Sequence, residues 1–329
     1  MIHGLSFALL IVTGGGGFMK ANKVSIYALG LLLLFGCGGP AGFEAVNKST
    51  ALKSTATSQS TSGTSTTQPT TPSTPTTPAQ PTQVSASAFS MNCNEDFMST
   101  AGSYTVQNNM WGKDGVYGSY SQCVGIRGNA DGSTSARWTW SWPDGPNEVK
   151  GYPAIIYGQK PGFQKTPGSN LPIRLDLAQQ IYTSWSEHSS YTGRGHLSYD
   201  LWLARDGDYH NGFNNNPLTH EIMIPAEPYG GYGLDRNPAW YIEQTTINGI
   251  GYKVYKADGF GTIGWRFLVL QPQGPMLSFN NFDWKPVFNY LRNKGFISGY
   301  EYLVSIEFGT EVQYGTGDVI IDSFRADVR

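Results

Sequence analysis

Asp200 and Glu221 stand midway along two stretches, YDLWLARD (residues 199–206) and THEIMIPAE (residues 219–227), in which apolar and polar side chains alternate. Successive side chains of a β-strand point to opposite faces, so a period of two separates the faces. Leu197, Tyr199, Leu201 and Leu203 fall on one face of the first stretch, with Ile222 and Ile224 on one face of the second. The opposite faces carry Asp200 and Trp202, and Glu221 and Met223. Turn-forming residues between positions 206 and 217 predict an antiparallel hairpin. Near the C-terminus, Ile306, Phe308, Thr310 and Val312 alternate with Ser305, Glu307, Gly309, Glu311 and Gln313, which places two more carboxylates on a polar face. Carboxyl groups mid-strand beside aromatic rings suit glycosidic chemistry, in which one protonates the leaving oxygen and another attacks or activates water.

Strands with one solvated face carry glutamate routinely, so alternation alone does not assign these roles. The motifs NNMWG (108–112), VKGYP (149–153), YDLWL (199–203), EIMI (221–224) and FGTE with a glycine-rich turn (308–317) narrow the reading. In that order and spacing they resemble glycoside hydrolase family 12, the small β-jelly-roll endoglucanases. The resemblance spans nearly all of residues 92–329. It implies a retaining endo-β-1,4-glucanase with Glu221 as nucleophile, Glu311 as general acid/base and Asp200 as the nucleophile's neighbour. Asn109 and Trp111 would line a glucose subsite. Glu307 shares strand parity with Glu311 and competes with it for the acid role; Glu311 is favoured because it follows the Gly-Thr of the motif. Trp202 and Met223 face the cleft by parity, as sugar contacts or as packing of the cleft wall and floor. The family commonly has Trp-Leu where Pro225-Ala226 stand here. Proline lacks the ladder donor, so the strand is predicted to end or reach an edge there, with residues 227–233 looping over the cleft. Tyr229 or Tyr232 would then supply the missing stacking surface.

The chain has 39% hydrophobic and 14% charged residues and a net charge of −2 with no basic run, which excludes nucleic acid as an obvious partner. The 44 aromatic residues (19 Tyr, 16 Phe and 9 Trp) and 41 Gly suit a turn-rich β protein with aromatic surfaces. The five His have no ligand spacing, and neither metal nor cofactor is implied. Residues 24–35 form an apolar run of export-signal length behind Lys20 and Lys23, ending in Leu-Phe-Gly-Cys, which resembles a lipobox. Met19 is the more natural start. Residues 1–36 are thus read as a signal, with Cys37 lipidated. Residues 37–88 are read as the lipidated N-terminus and a disordered tether, mostly Ser, Thr, Gln and Pro from about residue 46. The catalytic domain is 89–329. Membrane contact would come only through the lipid anchor of an extracytoplasmic, monomeric protein. Cys93 and Cys123 then remain as an even pair in an oxidising compartment, and the resembled family often has a disulfide near its first strands.

Alternating stretches at residues 104–110, 137–142, 152–157, 197–203, 221–224, 241–246, 252–255, 263–270 and 302–312 predict an all-β fold. Trp284, Val287, Phe288 and Leu291 give one helix between Asp283 and Lys294, with Pro286 in its first turn and Gly295 at its end. Two stacked, curved antiparallel sheets with a single helix, a β-jelly-roll, follow. Two readings compete: an endo-acting hydrolase of β-glucan polysaccharide, and a non-catalytic carbohydrate-binding surface lipoprotein. A binder has no use for Glu221 and Glu311 together. The laminarinase-type E-x-D-x-E signature is absent, which disfavours that other jelly-roll branch.

Overall fold

The computed structural model describes residues 83–145, 148–207, 218–234, 237–261, 263–276 and 278–329. The leader, Cys37, almost all of the tether and the turn joining the first two carboxylate strands lie outside the described residues.

Among the described residues, fourteen strands and one α-helix follow in chain order. The strands are β1 (Met98–Ala101), β2 (Tyr104–Gln107), β3 (Ser121–Gly128), β4 (Thr134–Trp142), β5 (Ala154–Gly158), β6 (Ile173–Arg174), β7 (Ile181–Tyr191), β8 (Arg194–Ala204), β9 (Leu218–Tyr229), β10 (Tyr241–Ile247), β11 (Ile250–Phe260), β12 (Trp265–Pro272), β13 (Phe279–Asp283) and β14 (Tyr302–Val328); α1 (Lys285–Asn293) precedes the last. One sheet runs β1-β2-β5-β14-β8-β9-β12-β11-β10. The other places β4 and β7 on either side of the second half of β14, with β3 beyond β4 and β13 beyond β7.

The 27-residue β14 therefore serves both sheets: residues 302–314 pair with β8, and 315–328 with β4 and β7. At the crossing, Gly315 has φ +105°, and a Cβ there would sit 2.2 Å from the carbonyl oxygen of Thr192. Only glycine fits that junction.

The layer between the sheets is aromatic and aliphatic. Trp138, Tyr199, Phe308 and Phe324 are fully buried in it, with Tyr199 and Phe308 rings 4.7 Å apart. Helix α1 adds Val287, Phe288 and Leu291 from one stripe and ends at Gly295 with φ +68°. The predicted helix is thus present, trimmed at both ends. Cys93 and Cys123 form the expected disulfide.

Two details differ from the sequence reading. One pair in the large sheet, β9 with β12, is parallel. From β9 the chain crosses to the far edge and folds back through two hairpins, β10-β11 and β11-β12, which restores the direction of β9. The second concerns Pro225. Strand β9 does not end there but continues to Tyr229, while its pairing with β12 stops at Met223. Proline sits where that neighbour is lost, so its missing N–H leaves no gap on the β12 side. The β8 register passes from Ser198 opposite Pro225 to Leu197 opposite Glu227, which leaves Ala226 as an extra, bulged residue. A bulge inverts facing beyond it. Glu227 and Tyr229 therefore turn to the face of Leu197, between the sheets.

Candidate active site

Strand β8 lies between the other two carboxylate strands. Its register sets Asp200 opposite Glu307 and Met223, Trp202 opposite Glu221, and His196 opposite Glu311. These residues share one parity and face away from the core between the sheets. That face is not simply polar. Trp202, Met223, Tyr255, Trp265 and Phe267 form a second buried apolar cluster on it, with Trp202 and Trp265 rings edge-to-face at 5.2 Å. Low-dielectric walls of this kind raise the cost of charge and strengthen each specific contact.

Glu221 is 8% exposed, and its Oε2 accepts a hydrogen bond from Trp265 Nε1 at 2.6 Å. Burial pushes its carboxyl up to about 8; the Trp265 bond opposes that rise, and the charges of Glu311 and Glu307 add to it. Asp200 is held well above the usual carboxylate range, first by burial and then by the charges of Glu221 and Glu307. Asp200 Oδ1 has no hydrogen-bond partner among the described residues. Of the two, only Glu221 has an indole donor to stabilise an anion. The Trp265 bond favours the anion on Glu221, so of the two carboxyls Asp200 holds a proton more firmly.

The two glutamates of β14 have different surroundings. Glu307 is completely buried and paired with Lys160 Nζ at 2.6 Å, and it also accepts from Ser305 Oγ at 3.2 Å. Lys160 in turn lies 5.1 Å from the centre of the Tyr152 ring. Glu311 keeps 18% of its side chain exposed and meets His196 Nε2 at 2.7 Å. A proton donor must reach both substrate and solvent. Glu311 is the one open to solvent, whereas Glu307 is buried and neutralised by Lys160.

Tyr152 joins this cluster to the Asn109 segment. Its hydroxyl donates to the Ser198 carbonyl at 3.3 Å, and burial first, with the neighbouring acidic groups adding to it, holds the phenol far above its ordinary range. Its backbone N–H donates to the Asn109 carbonyl at 2.8 Å. Asn109 Oδ1 accepts from Trp111 N at 3.2 Å, and Trp111 is 47% exposed. Gly112 N donates to the Lys150 carbonyl, and Lys150 N to the Val312 carbonyl beside Glu311.

The structure thus brings Asp200, Glu221 and Glu311 onto one surface, with Asn109 and Trp111 linked to it. Trp202 and Met223 are buried wall, 7% and 4% exposed, so packing is their observed role. Tyr229 is corrected: the bulge carries it to the other face of the sheet, where its ring packs 4.3 Å from Tyr191 and over Gly195. A Cβ on Gly195 would lie 2.4 Å from the Tyr229 oxygen, which explains glycine at that site. Tyr232 packs on the His196 ring at 4.0 Å.

Trp265, Lys160, His196 and Tyr152 were not singled out in the sequence. His196 has the parity of Asp200 and could have been found by extending the alternation. Lys160 follows β5 with no local signal.

The family model Glycosyl hydrolase family 12 matches residues 102–329. Endoglucanase S of Pectobacterium parmentieri is 29% identical over 256 residues, which are 75% of this chain and 89% of that protein. A protein of Phytophthora nicotianae described as inactive glycoside hydrolase XLP1 is 28% identical, over 74% of this chain and 93% of its own length. Among solved structures, a family 12 xyloglucanase from Bacillus licheniformis in complex with ligand superposes with a TM-score of 0.63 at 31% identity, covering 73% of this chain and all of that one.

Proposed function

We propose that this chain, which belongs to glycosyl hydrolase family 12 and is an endo-β-1,4-glucanase, cleaves its glucan by double displacement on Glu221 and Glu311. Glu221, ionised and oriented by Trp265, attacks the anomeric carbon while Glu311 delivers a proton to the departing glycosidic oxygen. The products of this step are a glycosyl ester on Glu221 and a shortened glucan with a free hydroxyl. Water then enters, Glu311 takes its proton, and the ester carbon–oxygen bond breaks with net retention of configuration. Protonated Asp200 faces the same pocket and keeps a second charge out of it while Glu221 is the anion.

The observation that supports this reading most is the unequal environment of the carboxyls. Glu221 has a buried indole donor, Asp200 has none, and Glu311 alone stays open to solvent. A sugar-binding wall has no need of that asymmetry. Cellulose, mixed-linkage glucan and xyloglucan share the β-1,4-linked glucose that such a site would attack. A relative described as inactive makes a direct assay necessary. Reducing ends released from the three polymers should appear with at least one of them, and proton magnetic resonance should show the β-anomer first. First release of the α-anomer would overturn the double displacement.

The finer placement in the cell belongs to the same reading. A lipid on Cys37 and a tether to residue 88 would hold a monomeric domain clear of an extracytoplasmic membrane surface. No helix among the described residues is long and apolar enough to cross a membrane. Labelled fatty acid should enter the native protein and not its Cys37→Ala variant.

A further inference from the structure

The carboxylates are arrayed across the strands rather than along one: Glu221 on β9, Asp200 on β8, Glu307 and Glu311 on β14. In the same direction come Tyr152, at the entry to β5, and Asn109, at the exit from β2. Neighbouring strands are spaced at about 4.8 Å, so a polymer bound across them passes from Glu221 towards Asn109 and Trp111.

The row continues past Asn109. Gln122 Nε2 donates to the Asn109 carbonyl at 2.9 Å and to Asn108 Oδ1 at 3.0 Å. Gln122 Oε1 accepts from Trp142 Nε1 at 3.0 Å. Trp142 is 3% exposed, and Tyr120 lies flat against it, with ring centres 4.3 Å apart and planes within 10°. Tyr120 itself keeps 40% of its surface exposed. It is therefore a flat ring, backed by a buried indole whose polar atom is fixed to the Asn109 segment.

We propose that Tyr120 is a further sugar-stacking residue, which holds a glucosyl unit of the main chain beyond Trp111. This rests on reading the cleft as a β-glucan site. The ring is pre-positioned by Trp142, so binding costs little side-chain ordering, and the ring face matches the apolar C–H face of a pyranose. Its distance from the reacting carboxylates means that only longer chains reach it. Tyr120 thus acts on chain-length preference and not on the bond-breaking step.

The test is kcat/KM for cello-oligosaccharides of three to six units with the wild type and Tyr120→Phe, Tyr120→Leu and Tyr120→Ala. Leucine still covers Trp142 but offers no flat face, which guards against a merely exposed core in the alanine variant. The wild type and Tyr120→Phe should gain on the longest substrates, and the leucine and alanine variants should lose about five-fold of that gain. Chain-length profiles unchanged in both variants, or an equal loss at every length, would overturn the proposal. A wild type that hydrolyses β-glucans with no benefit from Tyr120 removes this subsite alone. One that hydrolyses none removes the reading of the cleft, and the subsite with it.

Discussion

Trp265 donates its indole proton to Glu221 from a strand that runs parallel to β9, with Phe267 rather than Trp265 in register opposite Glu221. The contact is therefore diagonal, and it reaches Glu221 from the side remote from Asp200. It favours ionisation of one member of a buried carboxyl pair over the other.

Trp265→Phe keeps most of the ring volume and removes the donor. Burial would then raise Glu221 further above its value of about 8, because the opposing bond is gone. Losing one donor to a buried anion costs about 1.5–3 kcal/mol, so kcat/KM near pH 6 should fall by roughly ten-fold or more. The loss should shrink as pH rises towards the variant's raised value, where the carboxyl ionises without the bond. A pH–rate profile measures both effects, and parallel profiles at all pH values would show that Trp265 only fills space.

Glu221→Gln and Glu311→Gln should each fold and lose about a thousand-fold or more of their activity on polymer. They should separate on an activated aryl glycoside, whose leaving group needs no proton. On that substrate Glu311→Gln should retain formation of the glycosyl-enzyme, while Glu221→Gln remains inactive. A burst of phenol from the first variant and none from the second is the expected trace.

Lys160 and Glu307 form a buried ion pair, and breaking one side leaves the other charge stranded. Lys160→Met should destabilise the domain by about 3–5 kcal/mol. Glu307→Gln added to Lys160→Met should recover most of that loss, because no charge remains. Denaturant unfolding of the three proteins checks the cycle. A double variant no better than Lys160→Met would assign the loss to packing over Tyr152.

Between the sheets, Glu187 and Glu227 approach each other beside Tyr191, whose hydroxyl donates to Glu227. Burial first, and then the nearby Glu227, push Glu187 up to about 7, against a hydrogen bond from Ser189. The folded state thus holds a proton that the unfolded chain releases near pH 4.5. The stability linked to this group is fully present below about pH 4.5 and is lost as pH rises through 7. Glu187→Gln should match the wild type at pH 4 and be about 1–2 kcal/mol more stable at pH 8, after discounting for its partial exposure. Thermal unfolding across that range should show the two curves diverging as pH rises; curves that stay parallel would mean the carboxyl is solvated.

Alternation alone was enough to put Asp200, Glu307 and Glu311 on the cleft face of their strands, because the period of two is a local property of the backbone. Helix α1 was equally legible, since Pro286, Gly295 and the apolar spacing all lie within a dozen residues. Strand β7 was missed. Its inward positions run Ile181, Thr183, Trp185, Glu187, Ser189 and Tyr191, and the carboxyl and hydroxyl among them hide the apolar period. Facing failed at one step: an inserted residue, Ala226, turned Glu227 and Tyr229 to the opposite side, and nothing in the composition of the segment announces a bulge.

The protonation pattern depended on partners far away in the chain. Trp265 is 44 residues from Glu221, His196 is 115 from Glu311, and Lys160 is 147 from Glu307. Such contacts are set by which strands become neighbours, and β14 acquires its neighbours only by crossing from one sheet to the other at Gly315. Residue type and local period place the carboxyl groups on one face of their strands. The environment that charges one, neutralises another and leaves a third open to solvent exists only once the sheets have closed over them.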